Sequence, residues 1–150
     1  VKSLLILGAG GHGKVVKEVA QAMVDSNGAA VYGNIDFLDD AAPGAIGKIT
    51  ELERFIPLYD EVFVGIGNNA FRRELLERID KAGGHVPVLI HPTAYVSPSA
   101  VIKAGTVVEP MAVVNANTVV EEGCLISVTA LVDHDVVVEK YSHINAGGIC

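Results

Sequence analysis

The chain lacks tryptophan, has two cysteines and carries only eleven basic residues among its 150. Cys124 and Cys150 are too few for a disulfide scaffold and too isolated for a zinc site. Eighteen acidic residues outnumber the basic ones, and the net charge of −7 argues against a nucleic-acid partner, which would need a basic face. The sequence also has no apolar run of about eighteen residues and no signal-peptide pattern, so it predicts a cytoplasmic protein without a membrane partner.

Half of the residues are hydrophobic, and within residues 1–89 they form short apolar runs that alternate with amphipathic stretches. The runs that predict strands are residues 3–7, 31–35, 62–66 and 86–90. The stretches that predict helices are residues 15–23, 50–55 and 71–82. Because strands alternate with helices, residues 1–89 are predicted to form a Rossmann-like domain, a small parallel sheet covered by helices.

Residues 90–150 follow a six-residue repeat. Every sixth residue from Ile90 to Ile144 is valine or isoleucine, and the residue four places after each is small, with Val136 as the one exception. This is the hexapeptide signature of a parallel β-helix, in which three six-residue sides form one coil. The branched residue fills the narrow core, and the small residue lets the chain approach the corner. The repeat makes about three and a third coils, so we expect a β-helix that is incomplete at the carboxyl end of this chain.

A third position of the repeat points outward, yet it is aliphatic in all coils except at Tyr95 and His143. The preference of branched residues for strands is one explanation. The other is that these faces are covered, by further subunits or by the amino-terminal domain, and we favour it because exposed aliphatic patches mark interfaces.

A glycine-rich loop, Gly8–Gly13, follows the first predicted strand and precedes the first helix, with the pattern G-x-G-x-x-G. Its glycines allow the backbone to approach a pyrophosphate, and the helix start offers unpaired N–H donors to the negative charge. The alternative is a tight turn with no ligand. The position between a strand and a helix favours phosphate binding.

Polar residues follow the next two predicted strands. Asp39 and Asp40 come after the second strand, and Asn68 and Arg72 come after the third. An asparagine at a helix start is commonly a cap, and an arginine is commonly solvated. Because the carboxyl ends of parallel strands meet at one crevice, we expect these four residues to contact the same ligand as the glycine loop.

A histidine between two carboxylates, Asp133-His134-Asp135, lies at a predicted corner of the repeat, and His143 follows nine residues later. The ordinary pKa of histidine is near 6.5, so His134 can act as a general base at neutral pH, and the flanking carboxylates stabilise its protonated form. An ordinary surface histidine is the alternative.

Five motifs together resemble one known family. GAGGHGKVV, FLDD, IGNN-x-x-R, VDHD and YSHINAGG occur in the order found in the sugar O- and N-acyltransferases, which include sialic-acid O-acetyltransferases and UDP-4-amino-sugar N-acetyltransferases. The resemblance covers the whole chain. It implies a homotrimeric left-handed β-helix and an amino-terminal domain that binds a nucleotide sugar, expected to be UDP-linked. It also implies acetyl-CoA as the acetyl donor and no metal.

The resemblance also implies roles for individual residues. His134 matches the family's general base, and Asp135 stands where relatives often have glutamate. His143 and Gly147 fall in the segment that contacts acetyl-CoA. The segment that wraps the nucleotide-sugar phosphates corresponds to Gly8, Gly10, Gly11, His12 and Gly13, and the pair near the nucleoside corresponds to Asp39 and Asp40.

Three other functions use parts of the same pattern. A nicotinamide oxidoreductase has the same glycine loop but needs a substrate domain that a hexapeptide helix does not supply. A metalloenzyme of the γ-carbonic-anhydrase type gathers histidines between subunits, whereas only His134 and His143 fall in the later coils here. A non-catalytic nucleotide-sugar sensor or scaffold is the stronger alternative, because relatives have further coils that help to form the acetyl-CoA site.

Overall fold

The chain divides into two units, Val1–Pro87 and Val88–Cys150, in a computed structural model that describes residues 1–150. The boundary lies two residues before the one predicted at residues 89 and 90. None of the helices combines the length and the apolar character that crossing a membrane requires.

The first unit is built on a three-stranded parallel sheet. Its strands are β1 (Lys2–Leu7), β2 (Tyr32–Leu38) and β3 (Glu61–Val64), in the order β2-β1-β3. Its helices are α1 (Gly11–Ala22), α2 (Leu52–Phe55) and α3 (Asn69–Lys81), with short 3₁₀ turns at Ile49–Glu51 and Ile56–Leu58. The apolar run of the central strand is fully buried from Leu4 to Leu7, as expected for a strand covered on both faces.

The predicted strand at residues 86–90 does not join this sheet. Only Leu89–Ile90 forms a strand, β4, and it pairs with Val107–Val108 in the second unit. The N–H of Val62 donates to the carbonyl of His85 at 2.9 Å, but Pro87 has no N–H with which to continue a ladder. The prediction was wrong because an apolar run shows burial and does not show which sheet the strand enters.

The second unit consists of ten two-residue strands that begin every six residues. They are β4 (Leu89–Ile90), β5 (Tyr95–Val96), β6 (Val101–Ile102), β7 (Val107–Val108), β8 (Val113–Val114), β9 (Val119–Val120), β10 (Leu125–Ile126), β11 (Leu131–Val132), β12 (Val137–Val138) and β13 (His143–Ile144). They stack into three parallel sheets, β13-β10-β7-β4, β11-β8-β5 and β12-β9-β6. Each strand pairs with the one eighteen residues away, for example Leu125 with Val107 and His143. The six-residue repeat therefore forms the predicted three-sided coil.

The inward positions of the repeat make the core of this coil. The branched residues Val108, Val114, Val120, Ile126 and Val132 are all fully buried. Each buried valine or isoleucine contributes about 2 kcal/mol through removal of apolar surface from water. This confirms the predicted role of the branched position.

The small position has a second function that the sequence analysis missed. Side chains at three of these positions donate hydrogen bonds to backbone carbonyls fifteen residues further on, in the next coil. Thr106 donates to Glu121 at 3.0 Å, Thr118 to Asp133 at 2.5 Å, and Cys124 to Glu139 at 3.1 Å. The small residue thus makes room at the corner. Where it is Thr or Cys, its side chain also stabilises the corner of the following coil through a hydrogen bond.

The corners contain a regular series of left-handed residues. From Gly105 onward, every sixth residue has a positive φ, including Met111, Asn117, Thr129, Asp135 and Tyr141, with φ between 57° and 62°. The corner N–H of Asp135 donates to the carbonyl of Ala116, nineteen residues earlier, and Gly123, Thr129, Tyr141 and Gly147 donate across the same interval. Asparagine and aspartate tolerate this conformation better than other non-glycine residues, and this suits Asp135 to its position beside His134.

The outward aliphatic residues differ in exposure. Val107 and Leu125 are buried, whereas Val101 and Val137 are 50% and 62% exposed. Val101 and Val137 belong to the sheet β12-β9-β6. That further subunits or the amino-terminal domain cover such residues stays a prediction.

Candidate active site

The glycine loop between β1 and α1 contains two glycines that packing requires. Gly8 has a φ of 98°, and a Cβ there would lie 2.9 Å from the carbonyl oxygen of Gly65. A Cβ on Gly13 would lie 2.0 Å from the carbonyl oxygen of Gly8. No side chain fits at either position, because Gly8 lies against the backbone of Gly65, which follows β3, and Gly13 lies against the backbone of Gly8.

Two other glycines of the loop, Gly10 and Gly11, have no such requirement. A Cβ on either would meet no atom within 4 Å. Helix α1 begins at Gly11 with no side-chain cap and no acidic residue in its first turn. Its first amide donors and the positive end of its dipole are therefore available to an anion.

An open pocket of about 370 Å³ lies at this edge of the sheet. It brings together six of the predicted site residues, Gly8, Gly10, Gly11, His12, Asp39 and Asp40. Three others, Gly13, Asn68 and Arg72, do not line it. The lining also includes Phe71, which the sequence analysis missed and which is 36% exposed. Its place in the first turn of α3, as the second variable residue of the IGNN-x-x-R motif, was the signal available.

Asp39 holds the pocket wall together. One carboxylate oxygen accepts the N–H of Ala9 at 2.8 Å, and the other accepts those of Ala41 and Ala42 at 2.9 and 2.8 Å. These three backbone hydrogen bonds keep the pKa of the Asp39 carboxyl below its ordinary value. Asp39 thus ties the glycine loop to the segment that follows β2.

We expect Asp39→Asn to lower the free energy of unfolding by about 2 kcal/mol at pH 7, because an amide replaces a charged acceptor of three N–H groups. Since the folded-state pKa is lowered, this stabilisation is present above the unfolded pKa and is lost as the pH falls through the folded value. Denaturant titrations at several pH values measure it, with the exposed Asp80→Asn as control. If the difference in the free energy of unfolding between the parent protein and Asp39→Asn did not change with pH, this role of the Asp39 carboxylate would be contradicted.

Asp40 is exposed at the pocket and uses one oxygen, Oδ1, to accept the N–H of Ile49 at 3.1 Å. Its neighbour Asp39 has both oxygens occupied by backbone donors. Of the two carboxylates predicted to contact a ligand, Asp40 is therefore the one placed to accept a hydrogen bond from it.

Asn68 and Arg72 shape the loop after β3. Asn68 caps helix α3, with its side-chain oxygen accepting the N–H of Phe71 at 2.8 Å. Arg72 is fully buried, and its guanidinium donates to the carbonyl of Ile66 at 3.0 Å and to the side chain of Asn69 at 2.8 Å. The structure thus gives Asn68 the capping role that was the alternative interpretation, and it places Arg72 inside the protein, contrary to a solvated position.

His134 lies at the corner between β11 and β12, in the second unit, with 64% of its side chain exposed. Its Nδ1 is 2.7 Å from a carboxylate oxygen of Asp135, and its backbone N–H donates to the carboxylate of Asp133 at 2.7 Å. The hydrogen bond that His134 donates to Asp135, together with the negative charges of Asp133 and Asp135, raises the pKa of His134 above its ordinary value. Because a carboxylate only accepts, Nδ1 carries the proton in the neutral ring, and Nε2 is left to act as the base.

His143 and Gly147 lie elsewhere on the coil. His143 begins β13, is exposed, and its Nε2 is 2.9 Å from the hydroxyl oxygen of Ser127. Gly147 occupies a left-handed corner, with φ of 69°. His134 lies between the sheets of β11 and β12, whereas His143 belongs to the third sheet. Within one chain, the two histidines therefore do not lie on the same face of the β-helix.

No group of three or more histidine, cysteine, aspartate or glutamate side chains converges in a way that could hold a metal ion.

Known proteins resemble both units. Residues 3–79 match the model of the PglD N-terminal domain family. UDP-N-acetylbacillosamine N-acetyltransferase of Bacillus subtilis is 40% identical over 113 residues, which cover 72% of this chain and 51% of that enzyme. The chain thus spans about half the length of this curated relative.

Solved structures extend the likeness through the β-helix. The acetyltransferase domain of PglB from Neisseria gonorrhoeae is 42% identical with a TM-score of 0.88, covering 98% of this chain and 72% of that one. The same domain has been solved in complex with acetyl coenzyme A. A histidine variant of perosamine N-acetyltransferase from Caulobacter crescentus, in complex with CoA and GDP-perosamine, is 28% identical with a TM-score of 0.82, covering 94% of this chain and 67% of that one.

These likenesses confirm the predicted architecture, a Rossmann-like parallel sheet followed by a left-handed parallel β-helix. The family match, the curated relative and the solved structures agree with the five motifs of the sequence. The chain therefore belongs to the family of sugar acyltransferases that share the PglD N-terminal domain.

Proposed function

We propose that this chain carries out acetyl transfer from acetyl-CoA to the amine of a nucleotide-linked amino sugar, in the cytoplasm. The observation that supports it most is the combination, in one chain, of an uncapped glycine-loop pocket and a β-helix corner where Asp135 holds Nδ1 of His134 at 2.7 Å. The names of the relatives support the same chemistry, since two are N-acetyltransferases named with UDP- or GDP-linked sugars and a third is an acetyltransferase domain solved with acetyl coenzyme A.

The pocket of the first unit binds the nucleotide part of the acceptor, which we propose to be a UDP sugar. The diphosphate lies against Gly10 and Gly11, where no side chain obstructs the backbone and the first turn of α1 provides N–H donors. Asp40 accepts a hydrogen bond from the nucleoside, and Phe71 provides an apolar surface beside it. Arg72 and Asn68 act indirectly, by fixing the loop that forms the pocket wall.

His134 acts as the general base. The sugar nitrogen attacks the thioester carbonyl carbon of acetyl-CoA, and Nε2 of His134 takes a proton from that nitrogen as the C–N bond forms. The C–S bond of the tetrahedral intermediate then breaks, and the imidazolium of His134 returns its proton to the sulfur, so CoA leaves as the free thiol. Asp135 keeps the other ring nitrogen protonated and stabilises the imidazolium that forms.

Acetyl-CoA is the co-substrate, and we propose that His143 and Gly147 contact it. His143 lies in a different sheet from the strands that flank His134, so a site that uses both histidines combines residues of two copies. Val101 and Val137, which are half-exposed or more in the sheet β12-β9-β6, provide an apolar face for such an assembly. We propose a homotrimer, as in the family that the motifs resemble.

The release of free thiol from acetyl-CoA tests the proposal directly. We expect thiol release with a UDP-linked 4-amino sugar and none with the corresponding 4-hydroxy sugar, because a neutral amine is the stronger nucleophile. Release with the hydroxy sugar alone would show O-acetylation and contradict the assigned acceptor. Binding of the amino sugar with no thiol release would support a sensor or scaffold, and tight NADH binding would support an oxidoreductase.

A further inference from the structure

We propose that Thr118 is a positioning residue for His134, acting through the corner that carries the histidine. Thr118 is fully buried and is separated from His134 by almost a full coil in sequence. The proposal rests on the proposed role of His134 as the base, and it concerns how that base is held in place.

The hydroxyl of Thr118 closes the His134 corner from the coil beneath it. It donates to the carbonyl of Asp133 at 2.5 Å and accepts the N–H of Val136 at 3.2 Å. These two backbone groups stand immediately before and after the pair His134–Asp135. One buried oxygen therefore fixes both ends of the two-residue corner, and its donor hydrogen and an acceptor lone pair are both in use.

The conformation of this corner decides where the Asp135 carboxylate lies. Asp135 has a φ of 57°, a left-handed conformation that is strained for non-glycine residues, though less for aspartate, and that surrounding contacts stabilise. Its carboxylate reaches Nδ1 of His134 from that conformation, at 2.7 Å. On the other side, Asp133 accepts the N–H of His134 at 2.7 Å and the side-chain amide of Asn115 at 3.2 Å. If the corner relaxes, the imidazole loses the geometry of its carboxylate partner.

The chain contains a matched control for this device. Thr106 is also fully buried, donates to the carbonyl of Glu121 at 3.0 Å and accepts the N–H of Cys124 at 3.1 Å. It closes the corner Glu122–Gly123, which lies two six-residue sides earlier in the chain and contains no histidine. Thr106→Val and Thr118→Val therefore remove the same hydroxyl from the same kind of site, and only Thr118→Val affects the His134 corner.

We expect both valine variants to lower Tm by a similar amount, about 5 °C, because each leaves a carbonyl and an N–H without the buried hydroxyl. Only Thr118→Val should lower kcat, by about ten-fold, with KM for both substrates within about two-fold, since a displaced base affects the chemical step. In histidine NMR titrations, the pKa of His134 should fall towards its ordinary value in Thr118→Val and stay raised in Thr106→Val. Thr118→Ser, which keeps the hydroxyl, should restore both kcat and the raised pKa.

An unchanged His134 titration in Thr118→Val, or equal losses of kcat in the two valine variants, would overturn the proposal. If Thr118→Val does not fold, Thr118→Cys replaces it, because the thiol of Cys124 already makes such a bond to Glu139 at 3.1 Å. In Thr118→Cys the pKa of His134 is expected to fall part of the way towards its ordinary value. An unchanged pKa of His134 in this variant would overturn the proposal. The NMR readout is independent of turnover, so it still tests Thr118 if His134→Ala proves active and the proposed function fails.

Discussion

His134→Ala is expected to lower kcat for acetyl transfer by about 10²- to 10⁴-fold, the usual contribution of a positioned general base. The loss follows from the geometry of the corner, where Asp135 occupies Nδ1 and leaves Nε2 as the proton acceptor. Binding of the nucleotide sugar should change little, because the pocket that we assign to it lies in the first unit. Calorimetric titration with UDP and the thiol-release assay separate these two effects.

The pH dependence of the rate gives a second readout of the same residue. A base must be neutral to accept a proton, so kcat/KM should fall as the pH decreases through the pKa of His134, which the neighbouring carboxylates raise. Asp135→Asn removes the carboxylate whose hydrogen bond contributes most to that rise, and the acid limb of the profile should move to lower pH. The exposed His85→Ala serves as control and should leave the profile in place. Full activity of His134→Ala, or an acid limb that Asp135→Asn leaves unmoved, would contradict the assignment.

Gly13→Ala is expected to destabilise the first unit by at least about 3 kcal/mol, since its Cβ would lie 2.0 Å from a backbone oxygen of Gly8. Both backbones are held in place, because Gly8 directly follows the central strand and Gly13 lies in the first turn of α1. Urea unfolding measures the loss.

Gly10→Ala is the matched variant within the same loop. Its Cβ meets no atom within 4 Å, and Gly10 has a φ of −77°, which alanine adopts freely. We expect its stability to stay within about 0.5 kcal/mol of the parent, while affinity for UDP falls by about ten-fold or more because the methyl group occupies the path of the diphosphate. Unchanged UDP affinity in Gly10→Ala would show that the ligand does not approach this backbone.

The parts of the fold that follow from periodicity could be predicted from the sequence. Branched residues at intervals of six, from Ile90 to Ile144, specify the three-sided coil because each must face the same narrow core. The strand–glycine loop–helix order likewise located the pocket. The predicted strand at 86–90 failed because two residues of it, Leu89 and Ile90, already belong to the first coil.

Other parts of the site depend on contacts across long sequence intervals, which a single sequence does not display. Asp39 appeared as a ligand residue, but its carboxylate is engaged by the N–H of Ala9, thirty residues earlier. Arg72 appeared either solvated or bound to ligand, yet it is buried against backbone carbonyls. Thr118 appeared only as a small residue, because its partners, Asp133 and Val136, lie in the next coil.

The left-handed corners also bear on how the second unit is assembled during synthesis. The corner N–H groups of Gly123, Thr129, Asp135, Tyr141 and Gly147 all donate to carbonyls nineteen residues earlier, and those of Met111 and Asn117 donate to the hydroxyls of Thr93 and Ser99. Every one of these acceptors has left the ribosome before its donor. Each new corner can therefore close on a coil that already exists, and the β-helix can grow in step with translation, one side at a time.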